Sequence, residues 1–314
     1  MGFIGDAFDS AKEAVEDFVD DAVAFVEDII EETFDFLFGW LIPDVPDMPD
    51  FEKMLQGDGV LVNKRNSDSP LPVVYGTRRL GGNIVFLGTS SDNQFLYVVL
   101  AMCEGQVARF TELYIDDVLY ATYTGSDSSY GTAQTISSLA SASTSVPTNT
   151  SNLTIETDHP VYSGIEEEDG VETTHYLTNF AFFNGHDDGL IAHQLTGMGD
   201  LDNLGWTSLH NGKGICHAVF KFKYNSDAFN GIPKINFVVR GKLINTNLSG
   251  SSYAYSANPA LVLYDYLTST RYGKGLSASD INATAFTTAK DTCDTNVTPY
   301  TGASSEALFE CHTA

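Results

Sequence analysis

The sequence predicts a mainly β chain with some helix, an α+β fold in which one long amphipathic helix precedes β-rich domains. Three observations predict it. Aromatics make up 12% of the 314 residues, with 20 Phe and 15 Tyr, and flat rings favour a pleated surface. From Gly57 onward, short apolar runs alternate with turn residues. Before that point apolar residues recur at helical spacing, and short helices are expected again near 259–290.

The helical spacing covers residues 6–41. Phe8, Ala11, Val15, Phe18, Ala22, Phe25 and Ile29 form one stripe, and Val19, Val23, Val26, Ile30, Phe34 and Leu37 a second beside it. Acids such as Glu13, Asp17, Asp20, Glu27 and Glu31 fill much of the remaining surface, and Pro43, Pro46 and Pro49 stop the helix. A stripe this broad needs a partner, and helices of its own oligomer or a neighbouring protein are the expected one. Membrane contact is the weaker alternative, because interfacial helices usually carry Lys and Arg, although the apolar run Phe34–Ile42 suits shallow insertion. No 18-residue stretch free of charge is present to span a bilayer.

Five segments are expected. Residues 1–56 are the acidic helix with its Pro-rich linker, holding sixteen acids against Lys12 and Lys53, a net −14 of the chain's −26. Residues 57–123 are a first β-rich segment. Phe95–Met102 is nearly all apolar, as a strand buried on both faces must be, and Leu113–Tyr123 turns at Asp116-Asp117. Residues 124–200 hold a Ser/Thr-rich loop or arm and a β insertion, with a turn at Gly170 and a strand over Tyr176–Phe183.

Residues 201–256 are read as a hairpin. Cys216, Ala218, Phe220, Phe222 and Tyr224 alternate with His217, Val219, Lys221 and Lys223, which predicts a half-buried strand; Ile235–Val239 follows as its partner. Residues 257–314 are helical, leading into an expected further C-terminal part. Asn258 and Pro259 open a helix through Leu267, Gly273 and Gly275 close the segment after it, and Ser277 with Asp280 has capping-box spacing.

The charge balance, 42 acids against 16 bases, disfavours sequence-independent nucleic-acid binding, because phosphates would be repelled. Cys103, Cys216, Cys293 and Cys311 show no C-x-x-C spacing and read as reduced thiols of a cytosol-made protein. His186, Asp187, Asp188 and His193 are the best metal candidates by residue type, but Asn184-Gly185 and Gly189 give that stretch turn composition, so a solvated loop is expected. No G-x-S-x-G elbow occurs, and no pair of carboxylates stands out. Gly81-Gly82 and Gly212-Lys213-Gly214 lack phosphate-loop spacing and read as tight β-turns. The sequence therefore marks no catalytic, cofactor-binding or metal-binding residue, and no cofactor is expected.

Four segments in order carry a resemblance. They are Pro70–Gly82; Asp92–Gly105 leading into Leu113–Asp117; Trp206-Thr207-Ser208 and Gly212–Ile215 followed by Asn236–Lys242; and Asn258–Leu267 ending in Arg271–Leu276. Together they resemble the central tail-hub, or tip attachment, proteins of lambda-like siphophages and related prophage tail proteins. The acidic helix and residues 124–170 depart from that pattern.

The resemblance implies a virion structural protein without catalytic residues, made in the host bacterial cytoplasm. It implies a homotrimeric ring of tail-tube-like β-domains capping the distal tail tube. Its partners would be other tail-tip proteins, the tape measure protein and, through its distal parts, a host surface receptor. It would also contribute to the DNA-ejection conduit. Apart from the resemblance, residues 6–41 are expected to form a trimeric bundle or to dock onto neighbouring tail-tip proteins, and near passing DNA their negative charge would keep it from adhering. Two other classes stand beside this reading: a secreted β-rich adhesin or surface protein, and a tail-associated cell-wall hydrolase. The first residues lack the basic region of a secretory leader, which weighs against the former.

Overall fold

In the computed structural model the described residues are 63, 70–139, 152–168, 171–186, 198–229, 231–299 and 304–314. The expected helix over 6–41, its linker and the turn at Gly170 lie outside them. The described chain is mainly β. In order come β1 (Thr77–Leu80), β2 (Asn83–Thr89), β3 (Phe95–Glu104), β4 (Val107–Ile115), β5 (Val118–Tyr123), β6 (Thr135–Ser137), β7 (Leu153–Ile155), β8 (Ser163–Glu168), β9 (Val171–Tyr176) and β10 (Thr178–Phe183). Then follow α1 (Asp200–Asn203), β11 (Ile215–Lys223), β12 (Ile235–Asn245), β13 (Tyr253–Tyr255), α2 (Pro259–Thr268), α3 (Ala283–Cys293), β14 (Asn296–Val297) and β15 (Glu306–Ala307).

Two antiparallel sheets organise the unit formed by residues 50–228 and 233–314. One runs β2-β3-β11-β10-β6. The other runs β1-β12-β4-β5-β7, with β13 on the same edge of β12 as β1. β8 and β9 form a separate ribbon, as do β14 and β15. The expected turn between β4 and β5 is present: Asp116 and Asp117 both have positive φ (51° and 64°), the backbone a two-residue hairpin requires.

The chain passes between sheets at short corners. Glu104 ends β3 in one sheet, and within three residues Val107 begins β4 in the other. At that corner the Gly105 amide donates to the Gly214 carbonyl, and the Val107 amide to that of Asn184. Gly185 packs so closely there that a Cβ would lie 2.5 Å from the Gly105 carbonyl oxygen. Gly81-Gly82, expected as a tight turn, is a second crossing: β1 and β2 lie in different sheets. A Cβ on Gly82 would lie 2.9 Å from the Ala101 carbonyl oxygen, so close backbone approach explains that glycine.

Between the sheets lies a layer of rings. Phe110 of β4 meets Phe237 of β12 edge-on at 5.3 Å, Phe182 of β10 at 5.0 Å and Phe180 at 5.9 Å. Phe220 stacks on Phe180, and the buried Tyr120 hydroxyl donates to the Thr178 carbonyl at 2.8 Å. Each such side chain contributes about 1.5–3 kcal/mol by leaving water, and the edge-on geometry adds to that.

The opposite face of the five-stranded sheet is covered as well. Tyr97, Val99, Ala181, Phe183 and Val219 pack under Met198, Leu201 and Trp206. This is why β3 is buried along almost its whole length, as its continuous apolar run predicted. It also corrects the half-buried reading of β11: His217, Val219 and Lys223 on the second face are buried too. The hairpin reading of β11 with β12 fails for a related reason. Alternation fixes which way side chains point, not which strand is the neighbour, and β11 inserts between β3 and β10 whereas β12 inserts between β1 and β4.

The edge strand β2 pairs, among the described residues, only with β3, and its ladder slips between Ile84 and Phe86. Val85 is the extra residue of that bulge and is 51% exposed. Farther on, Asn258 caps α2 as its sequence predicted, accepting from the amides of Ala260 and Leu261. The Ser277–Asp280 capping box is present but closes a single 3-10 turn, and Asn282 caps α3 instead.

The ring layer makes a quantitative prediction. Phe110→Ala lowers unfolding free energy by about 3–5 kcal/mol in urea titration, whereas Val85→Ala at the exposed bulge stays within about 0.5 kcal/mol of the parent.

Candidate functional site

Of the sequence candidates for metal binding, His186 is described and its amide donates to the Asn184 side chain; Asp187, Asp188 and His193 lie outside the described residues. Among the described residues no group of three or more His, Cys, Asp or Glu side chains converges. A cavity between the β2–β3 turn and α1 is lined by Ser90, Ser91, Asp92, Phe95, Asp200 and Asn203, with Leu204. Three of its polar groups, Ser90, Asp92 and Asp200, are engaged in holding the fold. The Ser90 hydroxyl donates to Asp92 and accepts from the Phe95 amide, bracing the turn. The Tyr97 hydroxyl donates to Asp200 at 2.8 Å, and the Lys221 ammonium sits 4.1 Å from the centre of the Phe95 ring.

A more distinctive arrangement covers the outer face of the six-stranded sheet. The strand register sets Arg240 of β12 directly opposite Arg109 of β4, two like charges that would repel. Asp127 resolves the conflict. Arg240 grips its carboxylate with two bonds of 2.9 Å, and Arg109 donates at 2.8 Å while also reaching the Tyr123 carbonyl. Burial alone would raise the Asp127 pKa, but the two guanidiniums outweigh it and hold it below the usual carboxylate range. Arg240 also lies 3.7 Å from the centre of the Tyr255 ring.

The motif repeats farther along the sheet. Arg79 of β1 and Lys234 both meet Asp117, at 2.8 and 2.9 Å, and Arg79 stacks over Tyr114 at 4.0 Å. The face is therefore a ladder of Arg, Asp and Tyr held in fixed geometry. Such residues anchor protein surfaces, because Arg and Tyr combine apolar area with directed hydrogen bonds.

A second charged centre ties the C-terminal residues to the start of the sheet. The Lys242 ammonium lies 3.3 Å from Asp265 of α2, and the Tyr75 hydroxyl donates to the same carboxylate at 2.6 Å. Tyr272 contacts both Asp265 and Lys242. Burial would push the Lys242 pKa down, but the Asp265 charge wins and raises it. Burial, reinforced by Asp265, drives the Tyr75 pKa far up. Around them pack Ile244, Leu261 and Val262. Tyr75 and Thr313 exchange backbone bonds of 2.9 and 3.0 Å, and His312 Nδ1 accepts from the Thr77 amide.

Two buried histidines complete the picture. His159 Nε2 donates to the Ile115 carbonyl while Nδ1 accepts from the Val161 amide, an arrangement only the neutral ring can make. His217 lies flat on Phe183 at 4.5 Å and donates to the Ile215 carbonyl. Burial pushes both pKa values below 6.5.

No family model matches the chain. The chain resembles a phage baseplate hub protein. Baseplate hub protein pb3 of Escherichia phage T5 is 28% identical over 230 residues, covering 66% of this chain and 23% of that protein. The chain therefore spans about a quarter of the length of the relative it matches. Among solved structures, a chain from the virion of a native gene transfer agent (GTA) particle aligns with 73% of this chain and 39% of its own length. That alignment has 13% identity and a TM-score of 0.31, too low to compare the folds in detail. The coarse part of the expected resemblance, a phage tail hub protein, thus has a named relative in sequence.

Sequence reasoning did not find the Arg–Asp ladder. Arg240 and Lys242 stand within the segment Asn236–Lys242 that carries the resemblance, but Asp127 belongs to a stretch whose composition suggests only a loop. Nothing in spacing links Asp127 to arginines on two strands.

Two measurements check this description. Asp265→Ala destabilises by about 3 kcal/mol in denaturant titration, because it removes the carboxylate shared by the part-buried Lys242 ammonium and the Tyr75 and Tyr272 hydroxyls; the paired change Lys242→Met with Asp265→Leu costs less. The histidines make stability acid-sensitive. Their folded pKa values lie below 6.5, so the unfolded chain binds protons first, and their contribution is complete above about pH 6.5 and shrinks as pH falls below it. The thermal midpoint accordingly drops between pH 7 and pH 5, and His159→Gln weakens that slope.

Proposed function

We propose that this chain is a structural, non-enzymatic subunit of a phage tail. It forms part of the central hub at the distal tip, as a homotrimer that closes around the tail axis and caps the tail tube. The observation that carries the reading is the 28% identity over 230 residues with a phage baseplate hub protein. The mainly β architecture suits it, since strand-rich units build large permanent interfaces. The net charge of −26 suits a wall along which DNA passes without adhering. Other tail-tip proteins, the distal tube and the tape measure protein are the neighbours this reading assigns, and a host surface receptor is met through distal parts. Membership of the lambda-like branch and the five-segment division of the chain belong to the same proposal.

Light scattering on the purified protein, combined with antibody labelling of whole particles under the electron microscope, tests it. The expected outcome is a species of three 34.1 kDa chains and label confined to the tail tip. Monomers that clear a peptidoglycan suspension, with particles unlabelled, would overturn it.

A further inference from the structure

The register of the five-stranded sheet sets Cys103 of β3 directly opposite Cys216 of β11. Opposed residues on neighbouring antiparallel strands have Cα atoms about 4.5–5.5 Å apart, with both side chains on one face of the sheet. A disulfide spans Cα separations of about 4.4–6.8 Å, so the pair stands within bonding range. Both cysteines are free and both are 0% exposed. The surrounding backbone is fixed. A bulge follows Cys216, the Gly105 amide donates to Gly214, and Gly185 presses on the Cys216 amide. Spacing in the sequence hides the pair completely, because 113 positions separate the two residues.

We propose that Cys103 and Cys216 are a latent cross-strand disulfide, open in reducing surroundings and closed to one intrachain bond by a small disulfide oxidant. With glutathione disulfide the step balances. One cysteine loses its proton and its thiolate attacks a glutathione sulfur, breaking that S–S bond and releasing one glutathione. The second cysteine, deprotonated in turn, attacks the protein sulfur of the mixed disulfide and expels the second glutathione. Two protein thiols give up two electrons and two protons, and one glutathione disulfide becomes two thiols. Burial makes attack slow in the folded protein, because the oxidant must enter while the strand ends are apart, so closure is fastest during folding. Once closed, the bond fastens β3 to β11 beside the corner where the two sheets meet. The inference stands apart from the tail-hub reading.

The full chain is refolded from denaturant in buffer containing glutathione disulfide, and folded protein is separately held in the same buffer. Both samples are denatured, alkylated with N-ethylmaleimide and mapped by mass spectrometry. The expected result on the refolding route, and more slowly on the folded one, is a peptide pair joined through Cys103 and Cys216, with Cys293 and Cys311 alkylated or carrying glutathione. Four alkylated cysteines on both routes overturn the proposal. So does a map in which Cys103 and Cys216 are joined only to glutathione, or to Cys293 and Cys311.

Discussion

A layer of large rings has to fill the gap between two sheets whose strands are exchanged at corners, and most of the rest follows from that demand. Phe110, Phe180, Phe182, Phe220, Phe237 and Tyr120 come from both sheets, and each is buried almost completely. Rings of this size hold the sheets at a separation that smaller side chains could not fill without voids. The spacing in turn forces the close approaches at Gly82 and Gly185, because a chain that changes sheets within two or three residues leaves no room for a Cβ. It also decides what faces outward. Once the aromatic positions of β4 and β12 point inward, their alternate positions must carry Arg109 and Arg240 to the outer surface.

The electrostatics follow from the same geometry. A chain with 42 acids and 16 bases has few cations to place, and the described portion commits several of them to two shared carboxylates, Asp117 and Asp127. A carboxylate serving two cations loses less conformational entropy per contact than two separate pairs would. Two residues on from Arg240, the part-buried Lys242 meets Asp265 and Tyr272, and Tyr75 bonds the same carboxylate, joining α2 to the start of the sheet. Eleven residues of one strand thereby hold β1, β4, β13 and α2 together, making β12 the hub of the described fold.

How much of this was legible in the sequence depended on range. Local signals read well: the Asp116-Asp117 turn, the Asn258 cap with Pro259 behind it, and the doubly buried run of β3 all follow from short-range chemistry. Partners could not be read. The alternation of β11 stated its two faces correctly, yet its neighbours proved to be β3 and β10, and the covering of its second face by Met198, Leu201 and Trp206 came from a stretch without periodicity. The Arg–Asp ladder and the opposed cysteines were invisible for the same reason, since each needs a partner more than a hundred positions away: Arg240 for Asp127, Lys234 for Asp117 and Cys216 for Cys103. The order of four short segments did point to the class of the named relative, a phage baseplate hub protein.

The slip at Val85 has a consequence for crowded surroundings. β2 is uncharged from Ile84 to Thr89 and, among the described strands, lies at the end of its sheet, where a straight edge would offer a row of donors and acceptors to a passing chain. With one residue extruded midway, that row is bent and its spacing broken, so a foreign strand laid along it loses pairing at the kink. The extruded residue thus acts as a local guard against edge-to-edge strand pairing.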